Sequence, residues 1–512
     1  MGLVIRQSIK GTIVNYLGVA IGFLTTFFII TAYLTQEEVG LTRVLIDTAI
    51  LFSSFAQLGT SSSIIRFFPF FKDEKSNHHG FFFWTLVIPI VGFFIFCLVE
   101  KIFHGVIVTT FSKNSSLFVQ YYKYVFPLSL FMLYQLVFEA NANVLMRIVV
   151  PKFVREVGVR LGILIGYLLY GYFHLIDLNG LIILFCAIYF LAALVDFFYL
   201  FYLDKISLKP DFSILTKPLL KDILFYTIFL FLNAITVSVM PLLNTFFVSA
   251  GMGLSFTGIY TIANYVATVV NIPNRSLNAI VQPNISESIK NGDFQRAENI
   301  CKSVSLHLML SSALIFIFIW INIDVLFQIL PNGANYEVGK SVVLILGISN
   351  FINSTLFVSS SILNYSKHYY WSLFFTILLT TLAIVLNLVL IPNFGINGAA
   401  LSNLISYIFF YVSLLFVVKF KLNIQIFSKA QLKIIALIII LLVSNYTWAH
   451  LVSQNLSNLP LNGLYVNIID AFVKSLLLAA IALTITYKWN ISLDVNRLIE
   501  KTLRIKNDNK NC

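Results

Sequence analysis

The sequence predicts an all-α protein that crosses a membrane about fourteen times, and three observations predict it. Apolar residues make up 59% of the 512 and charged residues only 11%, where a soluble domain carries about 25% charge. Apolar stretches recur at about 20 residues, the length a helix needs to cross a bilayer. Lysine and arginine collect in alternate connections, as in proteins threaded through a membrane. With a mean hydropathy of +0.89 the chain cannot cover itself against water, so most of its solvent is lipid. That excludes a cytosolic enzyme, a secreted disulfide domain and a disordered scaffold. The 50 Phe and 24 Tyr suit a lipid-facing surface with aromatic belts at its edges.

Spans 1 to 6 are read at 10–34, 40–68, 80–100, 120–146, 155–174 and 178–203. Spans 7 to 12 follow at 223–249, 255–281, 303–323, 338–364, 369–391 and 396–418, and spans 13 and 14 at 433–452 and 466–487. Connections are short, and none is large enough for a loop domain. Met1 to Lys10 is short and basic and runs into an apolar stretch too long for a signal core. With the N-terminus cytoplasmic, the inner connections hold Lys72, Lys75, Lys152, Arg155, Lys209, Lys217, Lys290, Arg296 and Lys419, among others. The outer side holds only Arg43, Lys101, Lys113, Lys123 and Lys340. The ratio is roughly five to one and stays in phase through every span, which puts both termini in the cytoplasm. The net charge of +12 therefore reads as topology and anionic lipid, not nucleic acid. The four cysteines, Cys97, Cys186, Cys301 and Cys512, have neither disulfide nor metal spacing. His78, His79, His307 and His450 carry no catalytic signal. Pro89, Pro127, Pro241 and Pro273 are expected to kink or break their spans.

The chain repeats itself at an offset of 218. Gly40 and Gly258, Asn15 and Asn233, Asp177-Leu178-Asn179-Gly180 and Gly395-Ile396-Asn397-Gly398, and Leu145 and Leu363 all obey it. The unit is six spans, an even number, so both copies enter the membrane the same way as parallel repeats. The expected organisation is a six-helix lobe at 1–203, a cytoplasmic linker at 204–222, a second six-helix lobe at 223–419, helices 13 and 14 at 420–488, and a basic cytoplasmic tail at 489–512. Two such lobes make a central cavity, the plan of secondary transporters. No phosphate-binding loop and no nucleotide domain is present in the sequence.

Polar residues inside spans form stripes at helical spacing. Arg43, Asp47, Ser54, Gln57 and Ser61 share a face of span 2, with Arg66 at its end. Gln135, Glu139, Asn143 and Arg147 do so in span 4, Asn264, Thr268, Asn271, Arg275 and Asn278 in span 8, and Asn350, Asn353, Ser360, Ser361 and Asn364 in span 10. One reading is a hydrated cavity whose arginines bind an anion, because the planar guanidinium grips phosphate through two hydrogen bonds. The other is interhelical glue, since Asn and Ser bond across packed spans. Arg43 and Asp47 also fit a simple i,i+4 ion pair, and Arg66 and Arg147 fit snorkelling to headgroups. Asp196 and Asp324 lie near span ends and are weaker candidates. Lys474 reads as an interfacial or inter-helix residue.

The stretch from Tyr33 to Pro69 resembles the polysaccharide flippases of the Wzx type, in the multidrug/oligosaccharidyl-lipid/polysaccharide exporter superfamily. The resemblance rests on Leu58-Gly59-Thr60 through Ile65-Arg66-Phe67, and on IPNFGINGAALSNLIS from Ile391 to Ser406. It implies movement of an undecaprenyl-diphosphate-linked oligosaccharide between leaflets of a bacterial cytoplasmic membrane by alternating access, without enzymatic chemistry. Such a protein serves polysaccharide or O-antigen (lipopolysaccharide) assembly. The resemblance connects Arg66 and Arg275, then Arg43 and Arg147, with the diphosphate. Asn15, Asn233, Gln57, Asn143, Asn264 and Asn353 become further substrate-binding candidates. Asp47 and Glu139 are the candidates for coupling to a proton or sodium gradient, or to the membrane potential. No cofactor or metal is expected. The expected partners are the lipid-linked glycan, membrane lipid, a polymerase and glycosyltransferases, for a monomeric transporter. The competing readings are a multidrug or organic-cation exporter, against which spans 13 and 14 and the arginines argue, and a polysaccharide polymerase or ligase, which needs a large outer catalytic loop.

Overall fold

A computed structural model describes residues 3–73, 75–203, 209, 211, 216–453, 463–492, 494–497 and 500, the side chains of 3–12, 224–226, 228–230, 232–238, 241 and 279–280 excepted. Among these residues every regular element is helical, and each of the fourteen expected spans falls on a helix. Eleven are long and apolar enough to cross a membrane by length and composition. The three others are the most polar or the least described. Span 5 is helical from Val149 to Gly171 but carries Lys152, Arg155, Glu156 and Arg160. Span 7 lies in the helix Lys217–Met252, many of whose side chains are outside the description. Span 8 runs as Leu254–Thr268, a 3-10 turn Val269–Asn271, and Ile272–Lys290.

By its contacts the chain forms two compact units. One is Met1–Ile262 with Asn387–Ala399, the other Ala263–Leu386 with Ala400–Cys512. Most of the expected linker 204–222 lies outside the described residues, as does the tail from 501 onwards.

In the first unit, span 2 opens on a capping box. Thr35 accepts from the Glu38 amide while the Glu38 carboxylate accepts from the Thr35 amide, at 3.3 and 2.8 Å, which satisfies two of the free donors at a helix start. The helix Gln36–Ala56 then breaks. Leu58 and Gly59 adopt φ of 49° and 74°, and Thr60–Phe71 starts again in a new direction. Only glycine takes that conformation without strain, and here the backbone of span 7 also presses in: a Cβ on Gly59 would stand 2.8 Å from the Thr227 carbonyl. The Leu-Gly-Thr motif is therefore a hinge that re-aims the segment bearing Arg66. Behind it Ile64, Phe67, Phe68, Phe71, Phe81, Leu133 and Val137 form a buried cluster. Phe94, Leu98, Ile102 and Phe103 of span 3 are exposed instead, as a lipid-facing helix requires.

The 218-residue repeat is realised as a contact. A Cβ on Gly40 would lie 2.0 Å from the Leu254 carbonyl oxygen, and one on Gly258 would lie 2.1 Å from that of Gln36. Adding 218 to 36 and 40 gives 254 and 258, so spans 2 and 8 cross reciprocally, each glycine against the same carbonyl of its counterpart. Small residues at such crossings let backbones meet where lipid offers no hydrophobic drive.

In the second unit spans 9, 13 and 14 share a buried core that includes Met309, Ile317, Ile434, Leu441 and Leu478. Lys474 is an inter-helix residue: its ammonium donates to the Ile321 carbonyl at 2.9 Å, at the end of span 9. The prolines divide into two groups. Pro127 and Pro273 lie in the first turns of new helices, where no amide is missed. The backbone runs helically through 89 and 241, so no break occurs there.

Candidate functional site

The charges of the first unit assemble around span 5. That span contains a π-helical turn, Val154–Gly158, between the helices Val149–Phe153 and Val159–Gly171. Such turns insert an extra residue and are common at functional sites. Here the turn places Arg155 and Glu156. Arg155 pairs with Glu139 of span 4 and with Glu156 at 3.1 Å. Glu156 also receives Arg160 at 2.7 Å, and Arg160 donates to the Gly18 carbonyl of span 1 at 2.8 Å. Gly18 and Gly22 make room: a Cβ on either would stand 2.6 Å from the Glu156 carbonyl and 2.7 Å from Arg160 Nη1 respectively. The result is a chain Glu139–Arg155–Glu156–Arg160 joining spans 1, 4 and 5, with equal numbers of positive and negative groups. Charges inside a membrane are unfavourable alone and persist when paired in this way. The carboxylates are the more covered partners, at 23% and 16% exposed, and the guanidiniums the more open, at 36% and 38%. Their remaining N–H groups are available to an incoming anion.

A second ionic group sits on span 2. Arg43 Nε donates to Asp47 Oδ2 at 2.9 Å. Asp47 is fully buried, and Thr245 of span 7 faces its carboxylate. Next to Thr245, the Asn244 amide donates to the Tyr260 hydroxyl at 2.8 Å, and Asn387 donates to Asn244 at 3.0 Å. These form a buried polar cluster in the first unit.

The other expected residues divide by environment. Arg66, Asn143, Arg147 and Arg275 are exposed. The Arg66 guanidinium lies 5.7 Å from the centre of the Phe67 ring. Gln57 is half-buried at the hinge of span 2. Asn15 and Asn264 are half-buried, and the side chain of Asn233 lies outside the described residues. Asn353 accepts from the Tyr411 hydroxyl at 2.5 Å. Asn271 donates to Asn350 at 2.7 Å, and Asn350 to the Ala267 carbonyl at 3.0 Å. The polar faces of spans 8 and 10 thus bond to each other, the interhelical role. Sequence reasoning joined Arg43 to Asp47 but set Arg155 among loop cations and passed over Glu156, Arg160, Asn244, Thr245 and Asn387. The available signal was the i,i+4 spacing of Glu156 and Arg160 and the matching spacing of Gly18 and Gly22. Among the described residues no group of three or more His, Cys, Asp or Glu is placed to hold a metal ion.

The fold is that of a polytopic membrane transporter. The sequence family described as "Polysaccharide biosynthesis protein" matches residues 5–288, more than half of the chain, and the protein belongs to that family, within the multidrug/oligosaccharidyl-lipid/polysaccharide exporter superfamily. The MatE family matches residues 230–389. Among curated proteins none matches. Solved structures share the fold. A lipid II flippase MurJ in an inward closed conformation is 15% identical over 95% of this chain and 100% of that one, with a TM-score of 0.69. An inward-facing multidrug resistance MATE transporter is 14% identical over 80% of this chain and 97% of its own, with a TM-score of 0.59. A superfamily transporter from Pyrococcus furiosus is 12% identical over 82% and 96%, with a TM-score of 0.54.

Proposed function

We propose that the protein is a flippase that moves an undecaprenyl-diphosphate-linked oligosaccharide from the inner to the outer leaflet of a bacterial cytoplasmic membrane by alternating access. Both termini lie in the cytoplasm in this reading, and the protein carries out transport without enzymatic chemistry or a cofactor. The observation that carries it is the chain Glu139–Arg155–Glu156–Arg160 within the matched family region. A guanidinium held by a carboxylate is already aimed, and it exchanges that partner for a phosphate oxygen of the same geometry. The glutamates keep the site neutral between substrates. Arg66, Arg147 and Arg275, all exposed, are further contacts for the diphosphate, and Asp47 and Glu139 are the acids for ion coupling. The polyprenyl tail stays in lipid, and a glycosyltransferase and a polymerase act before and after the protein.

The test is a deletion strain complemented with Glu156→Gln/Arg160→Gln. This double variant removes both charges together, so no lone charge is left inside the membrane. At matched membrane levels, lipid-linked oligosaccharide accumulates and surface glycan falls, while the unaltered gene restores both. Normal surface glycan in the double variant would remove these residues from the site. Unchanged lipids in the deletion strain would remove the function. A second reading, export of organic cations, is favoured by the MatE match over 230–389 and by the buried Asp47. It predicts toxic-cation sensitivity of the deletion strain with lipids unaltered.

A further inference from the structure

Spans 13 and 14 lie outside the 218-residue repeat, yet span 14 is tied by polar bonds to the connection between spans 9 and 10. The Lys474 ammonium donates to the Ile321 carbonyl and the Asn322 amide to the Ser475 hydroxyl, both at 2.9 Å. The Asn467 amide donates to Gln328 Oε1 at 2.9 Å. Between these two elements lies a cleft of about 470 Å³, within the range of small-ligand sites of about 300–1,000 Å³. One wall is the helix Ile323–Ile329 and the 3-10 turn Gly333–Gly339, which supply Gln328, Ala334 and Glu337. The other is the start of span 14, with Leu464 and Asn467. The first wall is firmly built. Asn332 takes a left-handed φ of 53°, which Asn adopts more readily than most residues. A Cβ on Gly333 would stand 1.7 Å from the Phe327 carbonyl oxygen, so the turn packs directly on the helix. The rings of Phe327 and Tyr336 are buried behind it.

The lining chemistry selects a ligand class. The bond between Asn467 and Gln328 uses one group of each amide, so Gln328 Nε2 remains a donor and Asn467 Oδ1 an acceptor. Glu337, exposed at the cleft, adds a carboxylate. Leu464 and Ala334, both exposed, add apolar carbon. Among the described lining residues none is cationic. Lys340 beside them is held by Asp324 at 2.7 Å and by Glu337 at 3.3 Å, and two carboxylates with one ammonium leave a net negative charge. That repels a diphosphate or an anionic headgroup. It suits a neutral polyhydroxylated chain, because each hydroxyl both donates and accepts. One sugar can therefore satisfy an amide N–H, an amide oxygen and a carboxylate while its C–H face lies on leucine.

We propose that this cleft is a glycan-binding site on the outer face, and that it holds neutral sugars of the oligosaccharide as they arrive there. This rests on the flippase reading and the orientation proposed above. In that reading guanidiniums take the diphosphate, and the cleft built by span 14 takes the sugar.

The experiment uses the full chain in lipid nanodiscs. The probe is a set of neutral oligosaccharides cut from the strain's own surface glycan, graded by length and carrying neither lipid nor phosphate. Binding is read by saturation-transfer NMR. The unaltered protein binds them, and Gln328→Ala weakens binding about threefold to tenfold, as loss of a hydrogen bond should. Ala334→Trp fills the cleft and abolishes binding. Both positions are exposed, and either variant alone serves if the other fails to insert. Equal binding by the unaltered protein and the variants overturns the proposal, as does no binding by the unaltered protein. Competition by inorganic diphosphate also overturns it, because the sugar would then occupy the arginines. Preference for the single repeat unit identifies arriving substrate as the occupant, and preference for long fragments identifies finished glycan; both keep the site. The flippase reading is answered separately by the lipids of the deletion strain. Unaltered lipids there, with oligosaccharide binding lost in both variants, overturn the flippase and keep the glycan site. Accumulated lipid-linked oligosaccharide, with no binding of the soluble sugars, keeps the flippase and overturns the site.

Discussion

The crossing of spans 2 and 8 supports a prediction with a worked magnitude. In Gly40→Ala the new Cβ lies 2.0 Å from the Leu254 carbonyl oxygen and 2.8 Å from its carbon. Real contacts essentially never fall under 3.0 Å, and the obstacle is backbone, which cannot rotate away. The two helices must separate by about 1 Å, and a gap of that size forfeits about a quarter to a half of the dispersion at the crossing. Overpacking of this kind costs about 1–3 kcal/mol. Replacing a helical glycine returns about 0.5–1 kcal/mol through backbone entropy, so a net loss of up to about 2.5 kcal/mol is expected. Gly258→Ala should behave alike, because its Cβ meets Gln36 at 2.1 Å. The double variant should lose less than the sum, since the first substitution already opens the gap used by the second. Gly105→Ala is the control: it lies inside the span 3 helix Phe81–Ser112 with nothing within 4 Å of the added carbon. The assay is thermal unfolding of the purified protein in detergent, followed by tryptophan fluorescence. Gly40→Ala as stable as Gly105→Ala, or strict additivity in the double variant, would refute the reciprocal crossing.

Two further predictions concern single hydrogen bonds. The Asp73 carboxylate accepts from the Ser76 hydroxyl at 2.8 Å and the Lys75 amide at 3.0 Å, and these, the hydroxyl foremost, hold its pKa below the ordinary value. Because the folded value is depressed, the stabilisation is present above the unfolded value of about 3.9 and is lost as pH falls through the folded one. Ser76→Ala should therefore lower the thermal midpoint at neutral pH, and the difference should vanish in acid. Tyr411→Phe keeps the ring but removes the donor to Asn353, for an expected loss of about 1–2 kcal/mol. Lower stability with unchanged transport per folded molecule would assign Asn353 to helix packing, and impaired transport at unchanged stability would return it to the substrate path.

The spans were legible because they depend on a quantity local to the sequence, the apolar content of about 20 consecutive residues. The hinge was not legible, because 40–68 reads as one apolar span and hydropathy does not register the positive φ of Leu58 and Gly59. Nor was the charge chain. Glu139 and Arg155 are separated by 16 residues and the corner between two spans, and hydropathy says which residues enter the membrane, not which neighbour each one faces. Arg155 counted as a loop cation because it stood at the edge of an apolar stretch, whereas the helix runs unbroken from 149 to 171 through a π turn. The polar faces of spans 8 and 10 were visible as faces. Their bonding to each other, Asn271 to Asn350, depends on a packing angle that no single helix encodes.

The repeat separates what the fold needs from what the chemistry needs. Adding 218 to Arg43, Asp47, Glu139, Arg155, Glu156, Arg160 and Asp196 leads to Thr261, Tyr265, Phe357, Leu373, Phe374, Leu378 and Leu414. None of the seven charges recurs. The glycines at the span 2 and span 8 crossing do recur, and so do the turns that open spans 6 and 12. The second copy builds its helices with neutral side chains at every one of these positions, so charge there is not a requirement of the architecture. Retaining it in the first copy commits several desolvated groups to one another inside a membrane, an arrangement that apolar replacements commonly match or exceed in stability. The headgroup site proposed above accounts for its presence there. At these positions charge is confined to the first copy, and the function proposed above gives it a role that the architecture does not.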